Sequence, residues 1–460
     1  MPRLTFRTDD DEDEDGSNDD GNDEAAPLDL PTRVAKTKAA PSSTSTGRLR
    51  ERRKKRSIPA FQVIVMWEPP TRSGRGLATS PTMGETLVDL LSSGEATDVF
   101  ADASPRGTMS TSGGAAEASA PLPRVIAVDA KDERTARQLF ERLTSENQSA
   151  RVYVAPQRSL QPRASQARAS GARAPTGPTP PKTGAHWGMK VTGVDALTID
   201  ASEVRVAVVD SGVDRKHPDL KDAIEHYENF TQETDQDKSG HGTHVCGIIS
   251  ARGNPATGMK GVSNAKLLVY KGLGKDYKPD CYFQALQKAV DSDAVVVNLS
   301  LGGSDEDPLE TVLVQRAMRK GKTVVAAMGN DFELGNPPFF PASIEGVIAV
   351  GAVDSALARG TFSNIGPHIS LVAPGVKILS TAPTTPSELF GKQTLLGELD
   401  GTSMAAPFVT GVAALLAAQS GTGSDIRAKI RVNPCPGQTP HDEELGWGYL
   451  CWTGASTLPP

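Results

Sequence analysis

Ser403 lies in Gly401-Thr402-Ser403-Met404-Ala405-Ala406-Pro407, a run of mostly small residues leading into the apolar stretch 408–416. A serine there falls at or near the N-terminus of a helix. Unpaired backbone N–H groups and the positive dipole end favour negative charge at that point. An isolated serine before a helix is ordinarily an N-cap, so a nucleophilic role requires a base and an orienting acid elsewhere. The chain supplies both. Asp210 ends the apolar run 204–209, and His241 stands in Ser239-Gly240-His241-Gly242-Thr243-His244, where glycines permit close backbone approach. Asn330 follows Ala326-Ala327-Met328-Gly329 and can present a side-chain amide at a strand end. In acyl transfer Ser403 would attack a carbonyl, His241 would take and return the proton, and Asp210 would hold the imidazole tautomer. Asn330 and the Ser403 N–H would stabilise the oxyanion. Each residue alone has a plainer reading, as a turn, cap or packing residue. His244 is the decoy, with a structural role expected on the helix after the turn.

These residues must be held by a scaffold, and hydrophobic patterning supplies one. Residues 204–209, 265–270, 294–299, 323–327 and 347–350 are strand-like apolar runs, while 283–290 and 309–319 have helical spacing. Strands alternating with helices predict an α/β fold, a mostly parallel sheet flanked by helices on both faces. Functional residues in such sheets collect at the carboxyl ends of strands. A small α+β module is predicted over 58–160: strand 61–67, helix 85–91, strand 124–128, helix 132–145 and strand 151–154. Within it, 101–120 is Ser/Gly/Ala-rich and reads as a loop. Residues 161–184, rich in Arg, Ala, Ser, Pro and Gly, read as an exposed linker where nicking would concentrate. The body is then 185–460.

Four separate stretches, in this order, carry a resemblance: Asp210-Ser211-Gly212, His241-Gly242-Thr243-His244, Gly329-Asn330 and the Gly401–Pro407 run. The chain resembles the subtilisin-like serine peptidases, the subtilase family, over about residues 185–455. Supporting matches are Ser300-Leu301-Gly302-Gly303, Phe340-Pro341-Ala342-Ser343, Phe362-Ser363-Asn364-Ile365-Gly366 and Ala373-Pro374-Gly375. The resemblance implies a subtilisin-like fold and a serine endopeptidase with Asp210, His241 and Ser403 as its triad. It implies that Ser300, Leu301 and Gly302 pair with extended substrate and edge its primary pocket, a case of strand addition. It also implies a calcium ligand at Asp219, with no cofactor needed for the chemistry. The 58–160 module resembles, more weakly, the family's inhibitor prodomain, so its own N-terminal module would be a partner of the cleft until the linker is cut. Three positions depart from the family pattern: Phe408 stands where His is common, Met328 replaces a small residue, and Gly272 replaces a β-branched one. A catalytically silent binding scaffold is the alternative reading.

Charge and composition set the rest. Hydrophobic content is 37%, with 44 Gly and 34 Pro, as expected for a folded body joined to unstructured chain. Residues 1–57 are low-complexity, acidic over 9–15 and basic over 48–56, and are expected to be disordered. The basic run has no interleaved aromatics, so nucleic acid is not an expected partner. No run reads as long and apolar enough to span a membrane, and no secretory signal is visible, which makes a cytoplasmic location the default. The four cysteines do not form a disulfide-dense framework, although Cys435 and Cys451 are close enough in sequence to pair in an oxidising compartment. Asp305, Glu306, Asp307, Asp331 and Glu333 follow the substrate-binding segments. If they line the cleft, basic residues are preferred there, and Arg163, Arg168 and Arg173 become candidate processing sites.

Overall fold

The computed structural model describes residues 61–67, 83–100, 123–156, 163–164, 187–391, 394–420, 426–435 and 441–459. The acidic and basic tail, the 101–120 loop and the linker apart from 163–164 lie outside the described residues. Phe61–Trp67 (β1), Glu85–Ser93 (α1), Ala96–Asp98 (β2), Arg124–Ala130 (β3), Glu133–Glu146 (α2) and Arg151–Val154 (β4) build a four-stranded sheet of order β2-β3-β1-β4. Its strands are antiparallel, with Phe61 opposite Ala130 and Val63 opposite Val154. Asp132 caps α2, accepting the Thr135 N–H at 2.7 Å. Five of these six elements are legible in the sequence. The strand order is not, because every pairing in this module is between segments distant in the chain.

Arg163–Ala164 (β5) precedes a longer series: Trp187–Thr192 (α3), Arg205–Asp210 (β6), Ile224–Asn229 (β7), His241–Ser250 (α4), Lys266–Lys271 (β8), Pro279–Asp291 (α5), Val296–Leu299 (β9), Pro308–Arg319 (α6), Thr323–Ala327 (β10), Ile348–Val353 (β11) and Leu371–Pro374 (β12). Ile378–Thr381 (β13), Leu396–Asp400 (β14), Thr402–Ser420 (α7), Arg431–Asn433 (β15), Tyr449–Leu450 (β16) and Ser456–Thr457 (β17) follow. The large sheet has the order β17-β15-β16-β12-β11-β10-β9-β6-β8-β7. It is parallel from β16 to β7, with β15 and β17 antiparallel at one edge. Both faces are buried, which explains strands without polar alternation. Along β6, Val206 and Val208 join the core beneath α4 and α7, while Ala207 and Val209 join the core beneath α5 and α6. β7 and β12–β17 escape the sequence reading because they are short, polar or paired only through tertiary contacts.

Two helix features differ from expectation. α7 begins at Thr402 and runs 19 residues through Pro407, so the nucleophile turn and the apolar stretch are one helix. By length and composition it is long enough to cross a membrane, contrary to the sequence reading, but 83% of its most apolar window is buried inside the fold. It is the central core helix. Gly272 sits against α5, where a Cβ would lie 2.7 Å from that of Ala285, so the missing side chain permits helix approach.

Residues 56–460 form one compact unit, and the module is packed on the body. One face of its sheet (Val63, Val65, Ile126, Val128) packs on Leu87, Ala136 and Leu143. The other (Ile64, Met66, Val125, Ala127) shares a core with Tyr282, Phe283 and Leu309 of α5 and α6. Polar contacts fall on the two helix N-termini. Buried Gln62 donates to Asp280 Oδ1 at 3.0 Å and to Asp129 Oδ1 at 2.7 Å, and its carbonyl accepts the Asp280 N–H at 3.0 Å. Tyr153 donates to Asp307 Oδ1 at 2.9 Å, and that oxygen also caps α6 by accepting from Leu309 and Glu310 N–H. Burial is the main reason the Tyr153 hydroxyl is held well above its ordinary pKa, so it stays a donor. Tyr153→Phe should therefore loosen the module by about 1 kcal/mol. Native-state hydrogen exchange is expected to quicken in β1 and β4 while β6 amides are unchanged.

Candidate active site

Asp210 is the last residue of β6, at the carboxyl end of a central strand, and is buried. Its Oδ1 lies 2.8 Å from Nδ1 of His241, the first residue of α4, and accepts the Ser211 N–H at 2.7 Å. Pairing with a carboxylate puts the proton on Nδ1 and leaves Nε2 basic. Nε2 is buried without a hydrogen-bond partner among the described residues. The approach of α4 to β6 depends on Gly242. A Cβ there would overlap the Gly212 carbonyl oxygen and come within 3.0 Å of Asp210 Oδ1. Gly240 precedes the histidine with φ 89, a left-handed conformation that glycine adopts without strain.

A second carboxylate organises this corner, and sequence reasoning missed it. Asp237 Oδ1 accepts from the Ser211 hydroxyl at 2.8 Å and the Gly240 N–H at 2.9 Å. Its Oδ2 accepts from the Thr243 N–H at 2.9 Å and the Thr243 hydroxyl at 2.6 Å. The Ser211 hydroxyl in turn accepts the Gly242 N–H at 3.0 Å. Asp237 thus ties the loop before His241 to the residue after Asp210. An acid four positions before the histidine was the available signal. Lys271, buried across β8 from Asp210, donates to the carbonyls of Thr234 and Gln236 at 3.0 and 2.9 Å and anchors the same loop.

Ser403 is the second residue of α7, after a turn in which Gly401 has φ 156. Its hydroxyl donates to the Ser300 carbonyl at 3.1 Å. Asn330 Oδ1 accepts both the Thr402 N–H (2.9 Å) and its hydroxyl (3.0 Å), and the Thr402 oxygen accepts the Gly329 N–H at 3.1 Å. This fixes the amide orientation and turns Nδ2 toward Gly401, where a Cβ would stand 3.4 Å from it. The sequence-predicted residues Asp210 and His241 are therefore in direct contact, Asn330 is bonded to Thr402, the residue before Ser403, and Ser403 is bonded to the Ser300 carbonyl.

The family model described as the subtilase family matches residues 201–448, just over half of the chain. The chain belongs to the subtilase family. It is 40% identical over 239 residues to the thermophilic serine proteinase of Bacillus sp. (strain AK1), covering 51% of this chain and 57% of that protein. It is 38% identical to the major intracellular serine protease of Bacillus subtilis (strain 168), covering 48% and 70%. Thermitase of Thermoactinomyces vulgaris is 37% identical, with 50% and 81% covered. The chain thus spans somewhat over half the length of the first of these relatives, and residues before 201 lie outside the family match.

Other candidates find structural places in this subtilase. His244 is buried, its Nε2 lying 3.0 Å from the Ile378 carbonyl and 3.1 Å from that of Gly397, as a packing histidine should. Cys246 lies deeper in α4, where burial first and the fields of Asp210 and Asp237 second push its thiol well above the ordinary range, so it is no competing nucleophile. No disulfide joins Cys435 and Cys451, which are both buried. Asp307 is not in the cleft, because it is buried as the α6 cap and holds Tyr153; Asp305 and Glu306 are exposed. Phe408 is fully buried against Gly188. Ser300, Leu301 and Gly302 continue from β9, and Gly303 pairs with Phe340 through two backbone bonds of 3.0 and 2.8 Å.

Removing Asp237 would strand three buried donors beside the histidine, the Gly240 and Thr243 N–H groups and the Thr243 hydroxyl. Asp237→Ala is expected to destabilise the fold by about 2–5 kcal/mol and to lower turnover. Thermal unfolding and kcat measured on the same preparation check both.

Proposed function

We propose that this chain is a serine endopeptidase that hydrolyses peptide bonds through an acyl-enzyme, made as a proenzyme. The observation that carries the reading is the buried Asp210–His241 contact, which leaves Nε2 basic at the end of the helix-and-strand frame that carries Ser403. Ser403 rotates from the Ser300 carbonyl, gives its proton to Nε2 and attacks the substrate carbonyl carbon. The oxygen becomes an anion facing Asn330 Nδ2 and the Ser403 N–H. As the C–N bond breaks, His241 returns the proton to the leaving amine. Water, deprotonated by the same nitrogen, then hydrolyses the ester and regenerates Ser403. Asp210 stabilises the transient imidazolium without becoming protonated. Ser300, Leu301 and Gly302 supply the edge to which extended substrate adds.

The inhibitory role of residues 58–160 draws support from two features. The module caps the N-termini of α5 and α6, and β5, just downstream of it, pairs antiparallel with β14, Ala164 opposite Leu399 and Arg163 opposite Asp400. Asp400 is three residues before Ser403, so the tether runs beside the nucleophile. Tethering keeps the inhibitor at an effective concentration on the order of mM.

Asp219 is buried, and each of its carboxylate oxygens accepts a hydrogen bond from the protein. Asp219 Oδ1 accepts the Asn254 N–H at 2.6 Å and Oδ2 accepts the Thr257 hydroxyl at 2.5 Å. Among the described residues no cluster of three acidic, histidine or cysteine side chains stands ready for a metal. These bonds tie the 254–257 loop to Asp219.

Ser403→Ala is expected to abolish peptide hydrolysis and fluorophosphonate labelling and to leave the chain at full length on a gel. Normal labelling of that variant would refute the nucleophile. Asn330→Ala should lower kcat about 10²–10³-fold with KM little changed, the size measured for the corresponding loss in subtilisin itself.

A further inference from the structure

When Ser403 is acylated, the acyl carbon is bonded to its Oγ and the carbonyl oxygen faces Asn330. The side chain of the acyl-side residue then starts only two bonds away. It must enter the space between the Ser300–Gly302 segment and the Gly329–Asn330 turn. Both walls are glycine, and a glycine wall ordinarily leaves room for a large side chain.

Here the room is taken by the protein. The Phe339 ring lies against both walls: a Cβ on Gly302 would collide with its Cε1 and stand 2.8 Å from Cδ1, and a Cβ on Gly329 would stand 2.7 Å from its Cγ. Phe339 is fully buried. Its backbone is clamped, with its N–H donating to the Ser343 hydroxyl at 3.2 Å and its carbonyl accepting the Ser343 N–H at 2.9 Å. The next residue, Phe340, pairs with Gly303 on both backbone groups, so the ring is fixed relative to the substrate edge. A side chain held this way yields only at the cost of repacking.

Resting on the peptidase reading above, we propose that Phe339 is the residue that sets acyl-side specificity, filling the primary pocket so that the enzyme cleaves after small residues, Ala, Ser or Gly. A phenylalanine or leucine would meet the ring, and an arginine would bring its charge against an apolar face.

The test is hydrolysis of one peptide series differing only at the acyl-side residue (Ala, Ser, Leu, Phe, Arg), with fluorophosphonate labelling run alongside. Wild type is expected to favour Ala over Phe and Arg by about 100-fold or more in kcat/KM. Phe339→Gly should raise kcat/KM for the Phe peptide relative to the Ala peptide by a similar factor. Phe339→Val, which retains an apolar side chain, should open the pocket to Leu but not to Phe. A wild type that prefers Phe or Arg overturns the pocket assignment and leaves the peptidase reading standing. A chain that cleaves none of the peptides and takes no label overturns both.

Discussion

The structure depends on one close approach, the first turn of α4 against the end of β6. Asp210 and His241 come within hydrogen-bond distance only because Gly242 has no side chain to strike the Gly212 carbonyl. A buried carboxylate needs donors; the histidine and the Ser211 amide both serve Oδ1, while Oδ2 is buried without a hydrogen-bond partner among the described residues. Asp237 repeats the device one layer out, pinning the Ser211 hydroxyl and the start of α4. The arrangement is a chain of charge-assisted bonds in a dry corner, where each bond is stronger and each loss more costly than in water. Everything downstream is aligned to it. β9 delivers Ser300, β10 delivers Asn330, and α7 delivers Ser403 to the same end of the sheet.

Much of this was legible in the sequence for a physical reason. Asp210, His241, Asn330 and Ser403 each sit in motifs whose glycines and small residues are needed at short range, so local composition betrays them. The parallel sheet was legible because strands buried on both faces become continuous apolar runs. Asp237 offered only its spacing from His241, since its role exists only once Ser211, Gly240 and Thr243 converge on it. Asp307 was misplaced for a related reason: its charge suggested a cleft acid, but its neighbours Leu309 and Glu310 make it a cap, and Tyr153, more than a hundred residues away, completes its surroundings. The length of α7 was underread because Pro407 looks like a boundary. Pro407 is the sixth residue of the helix, where it gives up the backbone bond to the Ser403 carbonyl, yet the helix continues through it in the packed core.

Phe339 shows the same limit from the other side. Nothing in its immediate sequence distinguishes it from an ordinary core aromatic. Its meaning comes from two glycines, Gly302 and Gly329, on separate strands that close around it. Glycine-rich local motifs locate where bonds are broken, whereas the identity of the substrate is written in residues that reach the site only through the fold.

The module's sheet is buried on both faces, yet only one of those faces is covered by its own helices. Ile64, Met66, Val125 and Ala127 are shared with α5 and α6. As long as the chain is continuous, that apolar face has a partner at no cost in translational freedom. If the tether were severed, as the proenzyme reading above proposes, the face would meet water, and a domain of this size has little stability to spare. Release would then favour unfolding and loss of the module over rebinding. On that proposed reading, the half-shared core would make activation a ratchet, with its direction set by surface that has nowhere else to go.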